Sequence, residues 1–271
     1  MVDTNTYIKQ LKDTYPLRAS VLRDIIQALR LPLGSRGLDA GCGIGLQALL
    51  LAEAVGSTGH VTGLDISQEF LLHAEGVVNE SSLSDQISFQ QGDVSNLPFD
   101  DDTFEWVWSA DCVGYPAEEQ ALPLLKELAR VVKPGGTVAI LAWSSQQLLP
   151  GYPLLEARLN ATCSAFIPYF DGKRPETHFS RALGWFHEVG IEDSIAQTFV
   201  GDVHAPLSDG MRNALILFFQ MLWGEPQPGV SQEDWAEYQR LCAPDSPDFI
   251  LNCPHYYAFF TYSMFRGKVP R

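Results

Sequence analysis

Three glycines at alternate positions, with an acidic residue just before them, are the feature of this sequence that most restricts its fold. They are Gly41, Gly43 and Gly45. An apolar segment containing Asp39 precedes them, and the apolar helical segment 46–55 follows. Glycine lets a ligand approach the backbone closely because it has no Cβ, and the next helix offers free N–H groups. The pattern therefore predicts a buried strand, a ligand-binding turn and a helix.

The spacing of the glycines discriminates between two classes of cofactor. Nicotinamide and flavin sites use the pattern G-x-G-x-x-G, with the pyrophosphate at the helix N-terminus. Here Leu46 stands where the third glycine of that pattern would fall. Asp39 would also place a carboxylate beside the pyrophosphate, which is electrostatically unfavourable. A cationic cofactor reverses the sign of that interaction, so the motif favours a positively charged cofactor.

Two further predicted strands end in acidic residues. Residues 60–65 end at Asp65, and an acid at the end of the second strand can accept hydrogen bonds from ribose hydroxyls. A nicotinamide enzyme would use Asp65 in the same way, so this residue indicates nucleoside binding without choosing the cofactor. The second of these strands, residues 87–93, ends at Asp93. Ser67, which follows the strand 60–65, is a predicted N-cap for the next helix.

The following segment repeats the alternation of strand and helix. We predict a strand over 104–109, a helix over about 117–132 and a strand over 137–143. The run Lys133-Pro134-Gly135-Gly136 is typical of a helix end. Strands alternating with helices predict an α/β fold with a largely parallel sheet.

Taken together, residues 36–145 resemble the core of the class I S-adenosylmethionine (SAM) methyltransferases. Residues 38–45 resemble their motif I, which reads hydrophobic-Asp-x-Gly-x-Gly-x-Gly. Leu97-Pro98-Phe99 and residues 128–136 resemble segments of the UbiE/Coq5-like (type 11) subgroup. The resemblance implies a Rossmann-like, doubly wound sheet of seven strands, with the last strand antiparallel and with helical cap insertions.

The resemblance also implies how the cofactor would be held. SAM carries a sulfonium and an ammonium and no phosphate, and its product is S-adenosyl-L-homocysteine. Asp93 and the backbone of Val94 are expected at the adenine, and Arg18, on an N-terminal lid helix, at the cofactor's carboxylate. The expected cofactor-binding residues are Asp39, Gly41, Cys42, Gly43, Gly45, Asp65, Ile66, Asp93, Val94, Ser109 and Arg18.

The resemblance further implies that the residues after the fourth strand face the reactive methyl group. Asp111 is the carboxylate there, and it is a candidate base or substrate-orienting group; His204, after the predicted sixth strand, is a second candidate base. The run 109–112 differs from the Asn/Asp-Pro-Pro-Tyr/Phe motif of enzymes that methylate amide or base nitrogens. The expected substrate contacts are Tyr7, Tyr15, Cys112, Tyr115 and Trp143.

One methyltransferase domain is predicted over residues 1–271, with no metal site. The insertions are rich in aromatic residues, which predicts either a cap for an apolar or aromatic acceptor or a local core of their own. The parts are lid helices in 1–35, the cofactor-binding core 36–145, insertions 146–190 and 205–254, and last strands 191–204 and 255–267.

Composition limits the partners and the compartment. A formal charge of −15 argues against nucleic acid and against an anionic membrane surface. The five cysteines include no C-x-x-C pair, and their odd number favours a reducing compartment. The first fifteen residues lack signal-peptide character, and the apolar run 214–219 is too short to span a bilayer. We expect a cytoplasmic protein without membrane or nucleic-acid partners.

Three functions fit these observations. The first is SAM-dependent methyl transfer to oxygen, carbon or nitrogen of a small-molecule acceptor. The second is a non-catalytic SAM-binding protein, which nothing in the sequence excludes. The third is an NAD(P)-dependent oxidoreductase, which Leu46 and Asp39 disfavour.

Overall fold

A computed structural model of the protein describes residues 4–113, 121–161, 175–224 and 229–271. Short 3₁₀ turns lie between several elements. Within the described residues the helices are α1 (Thr4–Leu29), α2 (Leu46–Val55), α3 (Gln68–Asn79), α4 (Ala121–Arg130), α5 (Pro153–Ala161), α6 (Ala182–Glu188), α7 (Asp209–Trp223) and α8 (Gln232–Cys242). The strands are β1 (Arg36–Ala40), β2 (His60–Asp65), β3 (Ile87–Gln91), β4 (Phe104–Ala110), β5 (Val132–Gln147), β6 (Glu192–His204) and β7 (Tyr257–Lys268).

The strands form one seven-stranded sheet in the order β3-β2-β1-β4-β5-β7-β6. The pairs β1–β2, β1–β4, β2–β3 and β4–β5 are all parallel. Along β5 and β7 the contacts run in opposite directions, since Ser144 meets Thr261 and Thr137 meets Lys268. The predicted seven-stranded α/β fold with an antiparallel last strand is therefore confirmed.

The sheet order places two loops side by side. The chain runs outward from β1 to β3 and then returns to the other side of β1 to form β4. The carboxyl ends of β1 and β4 are thus the topological switch point, where open α/β sheets bind their ligands. The glycine turn follows β1, and residues 111–113 follow β4.

Several boundaries differ from the prediction, and β3 ends at Gln91, so Asp93 lies two residues beyond the strand that we expected it to end. We predicted lid helices in residues 1–35, and a single helix, α1, covers residues 4–29 although Pro16 lies inside it. Strand β5 starts at Val132 and continues to Gln147, well beyond the predicted range 137–143. Gly135 has φ +78°, so the proline–glycine run ends α4 but is absorbed into the irregular start of β5.

The described residues group into two units. The first unit draws on residues 1–21, 143–175 and 200–262, and the second on 22–142, 176–199 and 263–271. No helix in the described ranges is long and apolar enough to cross a membrane.

The core of the second unit includes helix α6, which lies in a segment that we predicted as part of an insertion. Trp185 and Phe186 of α6 are buried in one cluster with Leu124, Leu125 and Leu128 of α4. Residues 176–190, which we predicted as part of an insertion, thus group with the cofactor-binding core.

The first unit contains a buried carboxylate that the sequence did not single out. Glu156 of α5 is fully buried, and its two oxygens accept the backbone N–H groups of Leu148 (2.6 Å) and Leu149 (2.9 Å). Burial raises the pKa of the Glu156 carboxyl. These bonds tie the segment after β5 to α5.

A glycine in β1 is required by a tryptophan of the neighbouring strand. The indole of Trp106 is buried, and its Nε1–H donates to Ser35 Oγ at 2.9 Å. A Cβ added to Gly37 would lie 2.0 Å from the Trp106 ring. The ring therefore occupies the position of the missing side chain.

Gly37→Ala is expected to destabilise the protein by about 2–3 kcal/mol, because overpacking forces a buried ring to move. The matched control is Gly76→Ala, in α3, where an added Cβ meets nothing within 4 Å. That change should leave stability unchanged or raise it by about 0.5 kcal/mol. Urea unfolding of both variants measures the difference, and equal stabilities would contradict the assigned packing.

Candidate functional site

The glycine turn after β1 adopts the backbone conformation that its sequence predicts. Gly41, Gly43 and Gly45 have φ angles of +78°, +53° and +77°, a region that side chains disfavour. The N–H groups of Gly41 and Cys42 both donate to the carbonyl of Leu64, at 2.8 and 2.9 Å. The turn is thus fixed to the end of β2 by backbone hydrogen bonds.

The surroundings of the three glycines differ. A Cβ on Gly45 would lie 2.9 Å from Ala74 and 3.0 Å from Phe89, and one on Gly41 would lie 3.2 Å from the Cys112 sulfur. A Cβ on Gly43 would meet no atom within 4 Å. At Gly43 the backbone therefore faces open space, which is what close approach by a ligand requires.

Asp65 joins the glycine turn to the start of α3. Its Oδ2 accepts the N–H of Gly43 at 2.8 Å, and its Oδ1 accepts the N–H of Ser67 at 2.9 Å. A carboxylate oxygen can accept more than one hydrogen bond, so both oxygens of Asp65 can still accept hydrogen bonds from the hydroxyl groups of a ligand. The structure thus brings Asp65 and the central glycine of the turn together.

Asp39 is the most perturbed acid of the site. Only 2% of it is exposed, and its Oδ2 has no hydrogen-bond partner among the described residues. Burial, and then the nearby charge of Asp65, raises the pKa of the Asp39 carboxyl to about 8. A buried polar oxygen without a partner is costly, and a cationic ligand group would relieve that cost. The residues present therefore fit a positively charged nucleoside cofactor such as SAM.

The residues after β3 form a tight turn. Asp93 accepts the N–H of Ser95 through Oδ1 at 2.8 Å and the N–H of Asn96 through its carbonyl at 3.0 Å. The Ser95 N–H lowers the pKa of the Asp93 carboxyl. The side chain of Val94 is buried.

Ile66 presents an unusual apolar surface beside Asp65. Its side chain is 68% exposed, which is high for isoleucine. Its carbonyl accepts a hydrogen bond from Gln91 Nε2 at 3.0 Å. Gln91, at the end of β3, did not enter the sequence analysis, and it fixes the backbone at Ile66.

Two of the predicted cofactor-binding residues, Ser109 and Cys42, have side chains that are buried inside the protein. The Ser109 hydroxyl is fully buried and donates to the carbonyl of Ala40 at 2.8 Å, which joins β4 to β1. The Cys42 thiol is buried, and its pKa is raised by burial and by the two aspartates. These residues shape the turn, and their contact with the cofactor stays a prediction.

The sequence did not predict a hydrogen bond between Trp108 and Gln47. The indole of Trp108 in β4 is fully buried and donates from Nε1 to Gln47 Oε1 at 2.9 Å. Gln47 lies in the first turn of α2. A hydrogen bond over such a sequence separation leaves no local pattern from which to predict it.

The loop after β4 carries a backbone outlier. Asp111 has φ +51°, and its N–H donates to the carbonyl of Leu141 at 2.8 Å. Non-glycine residues with positive φ cluster at functional sites, although aspartate tolerates this conformation. Cys112 packs against Gly41, so the loop reaches the glycine turn. Tyr115 lies outside the described residues.

The remaining predicted residues belong to the first unit. Tyr7, Tyr15 and Arg18 lie on α1, and Arg18 donates from Nη2 to Thr14 Oγ1 at 3.4 Å. His204 is exposed at the end of β6, with Nδ1 3.1 Å from the carbonyl oxygen of Ala205. Their contacts with cofactor or substrate stay predictions.

Trp143 belongs to an aromatic cluster. It stacks on Phe260 with ring centroids 4.6 Å apart and an interplanar angle of 6°, and it also contacts Phe218 and Tyr262. Its Nε1–H donates to Gln146 Oε1 at 2.7 Å. This packing favours the alternative in which aromatic residues of this unit fill a local core.

Comparison with solved structures agrees with the fold. Phosphoethanolamine N-methyltransferase 2 of Haemonchus contortus superimposes with a TM-score of 0.58 at 16% identity, covering 99% of this chain and 58% of that one. A SAM-dependent methyltransferase of Aquifex aeolicus gives a TM-score of 0.51 at 19% identity, covering 97% and 99%. At these identities the likeness concerns the fold.

Comparison of sequences establishes the class. Residues 38–136 match the family described as "Methyltransferase domain". The demethylmenaquinone methyltransferase of Staphylococcus epidermidis is 32% identical over 200 residues, or 68% of this chain and 78% of that protein. That of Bacillus subtilis is 38% identical over 188 residues, or 64% and 77%. The chain is a class I SAM-dependent methyltransferase.

Within that class the chain belongs to the UbiE-like family, as the resemblance predicted. SAM is therefore its cofactor, and its acceptor is a small molecule. The non-catalytic and nicotinamide-dependent alternatives receive no support.

The pKa of Asp39 predicts a pH dependence of stability. The folded protein holds this proton up to about pH 8, whereas the ordinary value is 3.8, so folding favours the protonated form. Stability from this group is fully present below about pH 4 and is lost as the pH rises through 8. Asp39→Asn, which cannot ionise, should gain about 2–4 kcal/mol over the wild type between pH 5 and pH 8.

Urea unfolding of both proteins without ligand, at both pH values, measures this difference. The wild type serves as the reference for all other titrating groups, which the two proteins share. A stability difference that stays constant with pH would show that Asp39 ionises normally.

Proposed function

We propose that the cofactor lies at the carboxyl ends of β1, β2 and β3, with Asp39, Asp65 and Asp93 as its three acidic contacts. Two acidic side chains are the main support for this proposal. Asp65 accepts the N–H of Gly43 in the glycine turn, and Asp39 is buried with one carboxylate oxygen that has no hydrogen-bond partner among the described residues. SAM presents a sulfonium and an ammonium, and the Asp39 carboxylate stabilises them once its proton is released on binding. The ribose hydroxyls then donate to Asp65.

The adenine end of the cofactor would meet the turn after β3. The Asp93 carboxyl is held by Ser95 and ionised, so it can accept from the exocyclic amino group. The backbone of Val94 supplies a neighbouring donor. The exposed side chain of Ile66 offers an apolar surface for the flat face of the base.

Methyl transfer from SAM is an in-line displacement. SAM supplies an activated methyl group, whose bond to sulfur breaks as the acceptor atom bonds to carbon. The protein contributes alignment and removal of water. We place Asp111 on the acceptor side, where it takes the proton of a hydroxyl or orients the substrate. Cys112, packed on Gly41, continues the same loop.

We further propose an acceptor with an apolar ring, methylated at carbon or oxygen rather than at nitrogen. The Staphylococcus and Bacillus relatives are named for demethylmenaquinone, a quinone. The formal charge of −15 disfavours nucleic acid as acceptor. A cytoplasmic location remains part of this proposal.

Asp65→Ala should weaken SAM binding at least tenfold, because the ribose loses its acceptor and the Gly43 N–H loses its partner. Asp85→Ala is the matched control, since Asp85 is an exposed acid of the same unit. Calorimetric titration with SAM measures both variants. An unchanged affinity in folded Asp65→Ala would refute the ribose assignment.

Asp111→Asn should lower kcat roughly 100-fold, because the amide cannot take a proton, while the KM for SAM stays within about twofold. Asparagine tolerates positive φ, so the loop conformation is preserved. Release of S-adenosylhomocysteine with hydroquinones, phenols and amines as acceptors measures turnover. Turnover with amines alone would contradict the proposed acceptor class.

A further inference from the structure

The side chain of Arg130, at the end of α4, makes three hydrogen bonds to the segment Leu97–Asp101. Arg130 donates from Nη2 to the carbonyl of Leu97 at 3.0 Å and from Nη1 to the carbonyl of Phe99 at 2.9 Å. Nη1 also donates to Asp101 Oδ1 at 2.8 Å. A segment without regular secondary structure is thus held through its backbone, by a side chain distant in sequence.

Glu127 orients the guanidinium and adds a bond of its own. Arg130 donates from Nε to Glu127 Oε1 at 3.0 Å and from Nη2 to Oε2 at 2.8 Å. Oε2 also accepts the N–H of Leu97 at 3.0 Å. The hydrogen bond from Arg130 lowers the pKa of the Glu127 carboxyl, so the pair stays ionised. This fork geometry is one that lysine cannot reproduce.

The segment held by Arg130 packs directly against the turn that carries Asp93. A Cβ on Gly92 would lie 3.2 Å from the Pro98 ring, so Pro98 fills the space beside the residue before Asp93. The N–H of Asn96 closes the turn onto the Asp93 carbonyl, and Leu97 follows immediately. Leu97 is buried, so the segment cannot shift without disturbing the turn.

We infer that Arg130, oriented by Glu127, is a positioning residue for recognition of the adenine base. It holds the carbonyls of Leu97 and Phe99, which fixes Pro98 against Gly92 and thereby the position of the Asp93 carboxyl. The inference rests on the proposed contact between Asp93 and the adenine amino group. It makes α4, which contributes no proposed contact to the cofactor, a determinant of cofactor specificity.

The test measures base discrimination rather than stability. S-adenosylhomocysteine and S-inosylhomocysteine differ along one edge of the purine: the first has an amino group at position 6 and an unprotonated N1, and the second has a carbonyl and an N1–H. The wild type should bind the adenine compound about tenfold or more tightly, because a carbonyl facing Asp93 leaves the carboxylate without a donor. In Arg130→Lys the ratio should fall to about two or three.

Lys133→Gln is the matched control, because it breaks the Lys133–Glu105 ion pair, which is also partly exposed and lies just beyond α4. It should keep the wild-type ratio, whatever its effect on unfolding. Glu127→Gln retains the shape of the side chain and should lower the ratio as well. That variant keeps the test decisive if Arg130→Lys fails to fold.

Asp93→Asn separates the two ways in which the inference can fail. If Asp93→Asn removes discrimination while both Arg130→Lys and Glu127→Gln retain it, Arg130 has no positioning role and the inference is overturned. If Asp93→Asn retains the wild-type ratio, or the wild type itself does not discriminate, the adenine contact under the proposed function is wrong. Loss of discrimination in all three variants supports the inference.

Discussion

The hydrogen bond from the Gly43 N–H to Asp65 is the interaction on which the site depends. The parallel register pairs Asp39 with Gly63 and Ala40 with Leu64, which places Asp65 next to the turn that follows β1. Asp65 is thereby held near Asp39, and the two acids share a buried region. This arrangement makes ionisation of Asp39 unfavourable, because burial and the charge of Asp65 raise the pKa of its carboxyl.

The raised pKa of Asp39 explains why this glycine turn suits SAM. A pyrophosphate beside two acids would add negative charge to a region that already disfavours it. A sulfonium and an ammonium supply the missing positive charge and lower the pKa of Asp39. The same α/β sheet that serves dinucleotides elsewhere is thus directed to a cationic cofactor by the acid in β1 and by the spacing of the glycines.

The sequence predicted the parts of the structure that depend on local pattern. The glycine turn, α2 and the acid at the end of β2 lie where predicted, because strand ends, positive-φ glycines and apolar periodicity leave signals within a few residues. The pairs Gly37–Trp106 and Leu97–Arg130 were not foreseen, since each joins residues far apart in the chain. The bond from the Ser109 hydroxyl to the Ala40 carbonyl was not foreseen either, and the contact of Ser109 with the cofactor stays a prediction. Orientation of a side chain at a strand end depends on its neighbours, which sequence does not reveal.

Release of a proton on SAM binding is the measurement that tests this account most directly. Calorimetric titration at pH 7 in two buffers of different ionisation enthalpy gives the protons exchanged, and Asp39→Asn corrects for the amino group of SAM. The account predicts that the wild type releases on the order of half to one proton more than the variant, and that the difference disappears near pH 9.5. Equal proton exchange in both proteins would show that Asp39 is already ionised, and the electrostatic basis for cofactor choice would be wrong.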